Sequence, residues 1–364
     1  MHVRAKDESN VPIVDPKKLE QFMQQFVGDL GAAMGAALVL IGDELGLYRA
    51  LADAESPLSP KELAELTATD PRYIQEWLAA EAAANYVVYD KTSGKYTMTP
   101  EQAFALAYED SPGNITGAFQ IVSAIVKDQH KISEAFRGGS GVGWHEHHPS
   151  LFTGTERFFR PNYANYLVSS WLPALNGVVP KLKKGAKVAD IGCGHGSSTI
   201  VMAQAFRNSQ FLGFDYHQAS IETARQRARK GGVASQIHFE MATAKEYPGE
   251  NYDLVAFFDC LHDMGDPVGA AKHVKKTLAK DGTWMIVEPF ANDNVEDNLN
   301  PVGRVFYAAS TMICTPASRS QEVGLALGAQ AGPAKIEEVV RAAGFSQFRQ
   351  AAETPFNRVF EAKA

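Results

Sequence analysis

Apolar and polar positions divide the chain into two kinds of pattern. Up to about residue 135 the spacing is helical and rich in alanine. Leu38, Leu40, Leu45, Leu47 and Leu51 recur with a helical period over 32–52 and predict a helix there. Ser59-Pro60 reads as a cap with proline at the first helical position, opening a helix that carries Leu63 and Leu66. Thr69-Asp70-Pro71 opens another, carrying Tyr73, Ile74 and Trp77. Alternation at Tyr86-Val87-Val88-Tyr89, a turn at Lys91–Gly94 and a second short run at Tyr96–Thr99 predict a hairpin. Helix, turn, helix and hairpin outline a winged helix. Residues 137–155 read as a loop, and a helix is expected from Phe158 through Tyr163 to Trp171. From Lys187 onward short apolar strands alternate with amphipathic helices: 188–191, 210–214, 236–240, 254–258 and 283–287. That alternation predicts an α/β domain with a mostly parallel sheet covered by helices. The expected domains are 1–135, a linker with the start of a covering helix at 136–165, and 166–364.

Composition narrows the function classes. The 364 residues are 45% hydrophobic and 21% charged, with 35 Lys and Arg against 42 Asp and Glu. A net charge of −7 is poor for binding nucleic acid, where phosphate contacts supply most of the affinity. The winged-helix stretch 60–98 is itself acidic, with four basic and six acidic residues, and its second helix carries a single arginine, Arg72. A DNA reader needs more, so an interface role is expected. Cys193, Cys260 and Cys314 form no paired motif, which fits a reducing compartment. Residues 1–15 show no secretory pattern, and the apolar run Gly31–Ile41 is too short to span a bilayer. A cytoplasmic protein without a membrane partner is expected.

The densest chemical signal is Asp190-Ile191-Gly192-Cys193-Gly194-His195-Gly196-Ser197, a strand running into a glycine turn and then a helix. Glycines there allow a sharp turn and close approach of backbone to ligand. A second strand ends in Gly213-Phe214-Asp215, where a carboxylate can accept from both hydroxyls of a ribose. Together these residues resemble the class I S-adenosylmethionine-dependent methyltransferases, with the match continuing to the final strand pair. The resemblance implies a Rossmann-like domain whose seven-stranded sheet ends in an antiparallel strand. It implies S-adenosylmethionine as cofactor, bound through Asp190, Gly192, Gly194, Gly196, Asp215 and Tyr216. Thr243 and Ala244 stand where relatives carry an acid for adenine, and Phe258, Asp259 and Tyr163 are expected near the methionine end.

Phe258-Asp259-Cys260-Leu261-His262-Asp263 follows the fourth strand and resembles the base-bearing segment of small-molecule O-methyltransferases. The resemblance implies His262 as base or positioning residue and Glu288 as its orienting partner. A second glutamate of that family would fall at Gln330, which leaves sulfur, nitrogen and carbon nucleophiles open beside oxygen. A small-molecule acceptor and a homodimer formed through the N-terminal part are the expected partners. Trp144-His145-Glu146-His147-His148 could ligate a metal, but structural or surface roles are expected for it and no metal site is assigned. Two other readings stay open: a winged-helix regulator that senses the cofactor, and a metal-assisted keto-acid C-methyltransferase, whose relatives hold iron near the histidine-aspartate pair.

Overall fold

The computed structural model describes residues 14–364. The chain forms two compact units, the first ending at Tyr108 and the second running from Glu109 to Ala364. The first unit is α1 (Pro16–Glu44), α2 (Leu47–Asp53), α3 (Pro60–Thr67), α4 (Pro71–Ala83), β1 (Val88–Asp90), β2 (Lys95–Thr97) and α5 (Pro100–Leu106). Its capping follows the sequence closely. Ser59 and Glu62 form a reciprocal cap on α3, and the Asp70 carboxylate accepts from the first turn of α4. The helix expected over 32–52 is instead two helices. It starts at Pro16, capped by Asp15, and breaks at Gly46, whose φ of 68° lies in the left-handed region. The run Gly31–Ile41 is one part of this longer apolar helix. Among the described residues α1 is long and apolar enough to cross a membrane by length and composition. Phe22, Met23, Phe26, Val27, Leu30 and Met34 are exposed along it.

The second unit starts with α6 (Thr116–Gly138), so residues 109–138 belong with it rather than with the winged helix. It continues with α7 (Ser150–Asn162), a π-helical stretch Tyr163–Trp171, α8 (Leu172–Ala174) and α9 (Val178–Lys184). The helix expected from Phe158 starts eight residues earlier, at Ser150, whose free backbone N–H is taken by His148 Nδ1 at 3.2 Å, and its added turns bring Phe152 and Thr155 to the unit's cavity.

Then come β3 (Lys187–Ile191), α10 (Ser197–Ala205), β4 (Gln210–Asp215), α11 (Gln218–Lys230), β5 (Ile237–Met241), β6 (Tyr252–Phe258) and α12 (Pro267–Thr277). The chain closes with β7 (Leu278–Pro289), α13 (Pro301–Ala309), a π-helical turn Ser310–Cys314, α14 (Thr315–Arg319), α15 (Pro333–Ala342), β8 (Gln347–Glu353) and β9 (Asn357–Lys363). Seven strands order as β5-β4-β3-β6-β7-β9-β8, with β9 antiparallel to both neighbours. The central strands β3, β6 and β7 are buried on both faces, which is why they read as near-continuous apolar runs. Val188, Met202, Phe211 and Trp171 pack on one face, and Ala189, Phe214, Tyr252 and Trp284 on the other. The order reverses between β3 and β6, which puts the carboxyl ends of β3, β4 and β6 around one crevice.

Candidate active site

A cavity of about 450 Å³ opens at that crevice. Its floor is the loop between β3 and α10. Gly192, Gly194 and Gly196 have φ of 71°, 51° and 79°, a conformation that side chains resist. At Gly196 a Cβ would come within 2.6 Å of the Phe239 ring, so close packing adds to the backbone requirement. At Gly194 nothing lies within 4 Å of such a Cβ, and the position is open towards the cavity.

Asp190 supports this loop from behind. It is buried outside the cavity lining, and its Oδ2 accepts from Ser198 Oγ and Thr199 Oγ1, both at 2.6 Å. Burial lifts its carboxyl to about 6. Asp215, at the end of β4, does line the cavity. Its oxygens accept from the backbone of Gly194 at 3.0 Å and of His217 at 2.8 Å, so one carboxylate fixes two loops. Tyr216, Thr243 and Ala244 border the same side.

At the other side stand Tyr163, Phe258 and Asp259. Asp259 has φ of 52°, and both of its oxygens are held: Tyr163 Oη donates at 3.0 Å and Asn357 Nδ2 at 2.7 Å. Burial, with the Glu288 charge in addition, raises the Asp259 carboxyl to about 8.

His262 and Glu288 meet as expected. Nδ1 of His262 lies 2.5 Å from Glu288 Oε2, and Glu288 Oε1 accepts from the backbone of Leu261 at 3.1 Å. Burial lowers the imidazole pKa, but the Glu288 and Asp263 charges outweigh it and hold it well above its usual value. The far nitrogen is the surprise. His262 is 3% exposed and absent from the cavity lining, and its Nε2 faces Asp263 Oδ1 at 3.2 Å. Asp263 reaches the cavity in its place, with Oδ2 accepting from Trp144 Nε1 at 3.0 Å. The residue expected as base is thus set back from the cavity wall, behind Asp263.

Gln330 spends its amide on the carbonyls of Phe290 and Ala329. The second acid beside His262 is the adjacent Asp263, visible in the motif but not singled out. The histidine-rich stretch disperses. His145 lines the cavity, His147 is buried with Nδ1 at 3.1 Å from Asp128, and His148 caps Ser150. Glu156 was not foreseen and had no motif to mark it. It lines the cavity and holds Arg227 at 2.5 Å and Ser197 Oγ at 2.7 Å, bracing the start of α10.

Residues 182–339 match the family model described as a methyltransferase domain. The C-terminal unit carries a methyltransferase domain. Residues 33–108 match the Rv2258c-like winged HTH domain. The methyltransferase fold extends to solved structures across nearly the whole chain. A proposed O-methyltransferase of Nostoc punctiforme is 22% identical with a TM-score of 0.72, covering 97% of this chain and 100% of that one. Human N-acetylserotonin methyltransferase, solved with S-adenosylmethionine, is 18% identical with a TM-score of 0.67, covering 94% and 97%. At these identities the likeness speaks for the fold. The 27-O-demethylrifamycin SV methyltransferase of Amycolatopsis mediterranei is 34% identical over 110 residues, 30% of this chain and 40% of that relative. The ubiquinone biosynthesis O-methyltransferase of Leptothrix cholodnii is 31% identical over 136 residues, 36% and 54%. The matched stretch spans about half the length of these curated relatives or less.

Proposed function

We propose that the protein transfers the methyl group of S-adenosylmethionine to a small-molecule acceptor, an oxygen or sulfur nucleophile. The observation that carries this reading is the meeting of the glycine loop, Asp215 and the Tyr163–Asp259 pair around one cavity. In it the Asp215 carboxylate takes the ribose hydroxyls, and the backbone of Gly192–Gly196 takes the methionine end. Tyr216, Thr243 and Ala244 flank adenine, and Phe258 and Asp259 face the sulfonium. Asp190 acts by holding the loop. Trp144, Phe152, Phe159 and Met264 give the rest of the cavity an apolar wall suited to a ring or another apolar acceptor. Relatives named for oxygen methylation favour a hydroxyl acceptor.

The sulfonium methyl is already activated, so the protein must align a nucleophile and accept its proton. In this reading Asp263 receives the acceptor's proton at the cavity wall. His262 and Glu288 behind it position that carboxylate and share the proton.

The exposed apolar row on α1 is covered in this proposal by a second copy, giving a cytoplasmic homodimer. The acidic winged helix, with Arg72 of α4 paired to Glu76 at 2.5 Å, supports an interface role over nucleic-acid binding.

Calorimetry tests the cofactor assignment. S-Adenosylmethionine should bind at one site per chain, and NAD should not displace it. Tight NAD binding with no response to S-adenosylmethionine would overturn the proposal.

A further inference from the structure

We propose that Trp144 is a positioning residue for the transfer, a role that rests on Asp263 taking the acceptor's proton. Its indole N–H aims that carboxylate, and its ring is the wall beside it. Trp144 sits between α6 and α7, in a stretch whose one short turn is Trp144–Glu146. Neighbouring elements fix that stretch at both ends. At Gly141 a Cβ would run into the Ser320 nitrogen and the Pro316 carbonyl, so glycine lets the chain lie against the end of α14. Val142 N then donates to the Pro316 carbonyl at 3.0 Å. Past the turn the clamp is the buried Asp128 of α6. Its Oδ2 accepts from the backbone of His148 at 2.7 Å and lies 3.1 Å from His147 Nδ1. Lys131 Nζ joins Asp128 Oδ1, at 2.8 Å, to the carbonyl of Glu146. The Glu146 carboxylate closes the turn by accepting from Gly143 N at 2.6 Å. A segment held at both ends can present a side chain in one place, and Trp144 is the large one it brings to the cavity.

The indole N–H can only donate, and it is given to Asp263 Oδ2 at 3.0 Å. The other oxygen, Oδ1, is buried and faces His262 Nε2 at 3.2 Å. That leaves Oδ2 as the oxygen for the cavity. A carboxylate oxygen has two lone pairs, so Oδ2 keeps one for an acceptor hydroxyl while the indole on the other fixes its direction. A neutral donor suits this task. A lysine or arginine would hold the carboxylate equally well but weaken it as a base, and neither lines the cavity among the described residues. The ring does the rest. With Phe152, at 5.8 Å between centroids and a 60° tilt, it forms part of the apolar wall. An acceptor lying on that wall meets the oxygen that the wall's own N–H has aimed, so alignment and proton transfer depend on one residue.

The test uses the full chain, methyl-labelled S-adenosylmethionine and catechol as the acceptor. Trp144→Phe keeps an aromatic wall and loses the N–H. Its kcat should fall about 10- to 100-fold, the worth of a hydrogen bond to a charged group, with KM for catechol nearly unchanged. Phe152→Ala trims the wall and keeps the N–H, so KM should rise with kcat nearly unchanged. Asp263→Asn should lower kcat by roughly 10²–10⁴-fold, and adding Trp144→Phe to it should cost nothing further, because the indole acts through that carboxylate. Calorimetry with S-adenosylmethionine reports whether each variant is folded. A wild-type kcat in Trp144→Phe, or a full second loss in the double variant, overturns the role of Trp144. Undiminished turnover in Asp263→Asn overturns instead the reading of Asp263 on which that role rests. A wild type that binds the cofactor and leaves catechol unlabelled overturns the pairing of wall and base.

Discussion

The Asp259 carboxyl links cofactor binding to pH. Buried beside Glu288 and raised to about 8, it is roughly one-tenth ionised at pH 7 and nine-tenths ionised at pH 9. A sulfonium cation selects the ionised form, and an apparent affinity falls by the fraction of protein that is competent. Affinity for S-adenosylmethionine should therefore rise about tenfold, or about 1.4 kcal/mol, between pH 7 and pH 9. S-Adenosylhomocysteine has no charge on sulfur and should not share that gain. At pH 7 binding the cofactor should release close to one proton, visible as a dependence of the calorimetric heat on buffer ionisation enthalpy. Asp259→Asn keeps the contacts of Tyr163 and Asn357 with a neutral group and should flatten the profile. In the free protein the same raised pKa acts against stability. The folded carboxyl keeps its proton where the unfolded one has lost it, so stability falls from about pH 4 to about pH 8. The measurement is the ratio of the two ligands' affinities at pH 7, 8 and 9. A ratio that stays constant in the wild type refutes the placement of Asp259 beside the sulfonium.

Three further outcomes follow from the same geometry. Asp215→Ala should weaken S-adenosylmethionine by roughly 1–3 kcal/mol through lost charged hydrogen bonds, measured by calorimetry; unchanged affinity in a folded variant removes the ribose assignment. His262→Ala should lower turnover on a hydroxyl acceptor by roughly 10²–10⁴-fold with cofactor affinity nearly intact, and Glu288→Ala less; full turnover in His262→Ala defeats the relay. Light scattering at low micromolar concentration should give twice the chain mass, and polar substitutions at Phe22 and Phe26 should lower it; a wild-type monomer rules out α1 as a dimer face.

The fold was legible because its signals are local. Proline and capping residues mark α3 and α4, and three glycines in the left-handed region mark the loop between a buried strand and a helix. The parallel strands lie within two residues of the expected bounds except at β7, which begins five residues before Thr283. The pairing of His262 with Glu288 came from the motif, 26 residues apart, and the structure brings the two side chains into contact. What sequence could not give is direction. Whether His262 or Asp263 faces the cavity depends on the turn Leu261–Asp263, and no residue type dictates it. Asn357 and Glu156 belong to the site only through tertiary contacts, across 98 residues to Asp259 and 71 residues to Arg227.

Transfer of a labelled methyl group tests the central claim most directly. The full chain, incubated with methyl-labelled S-adenosylmethionine and a panel of phenols, hydroxy acids, thioethers and keto acids, should place label in at least one small molecule. The Asp215→Ala variant should lose that transfer at limiting cofactor. No label in any acceptor, together with no binding of S-adenosylmethionine by the wild type, would contradict the account.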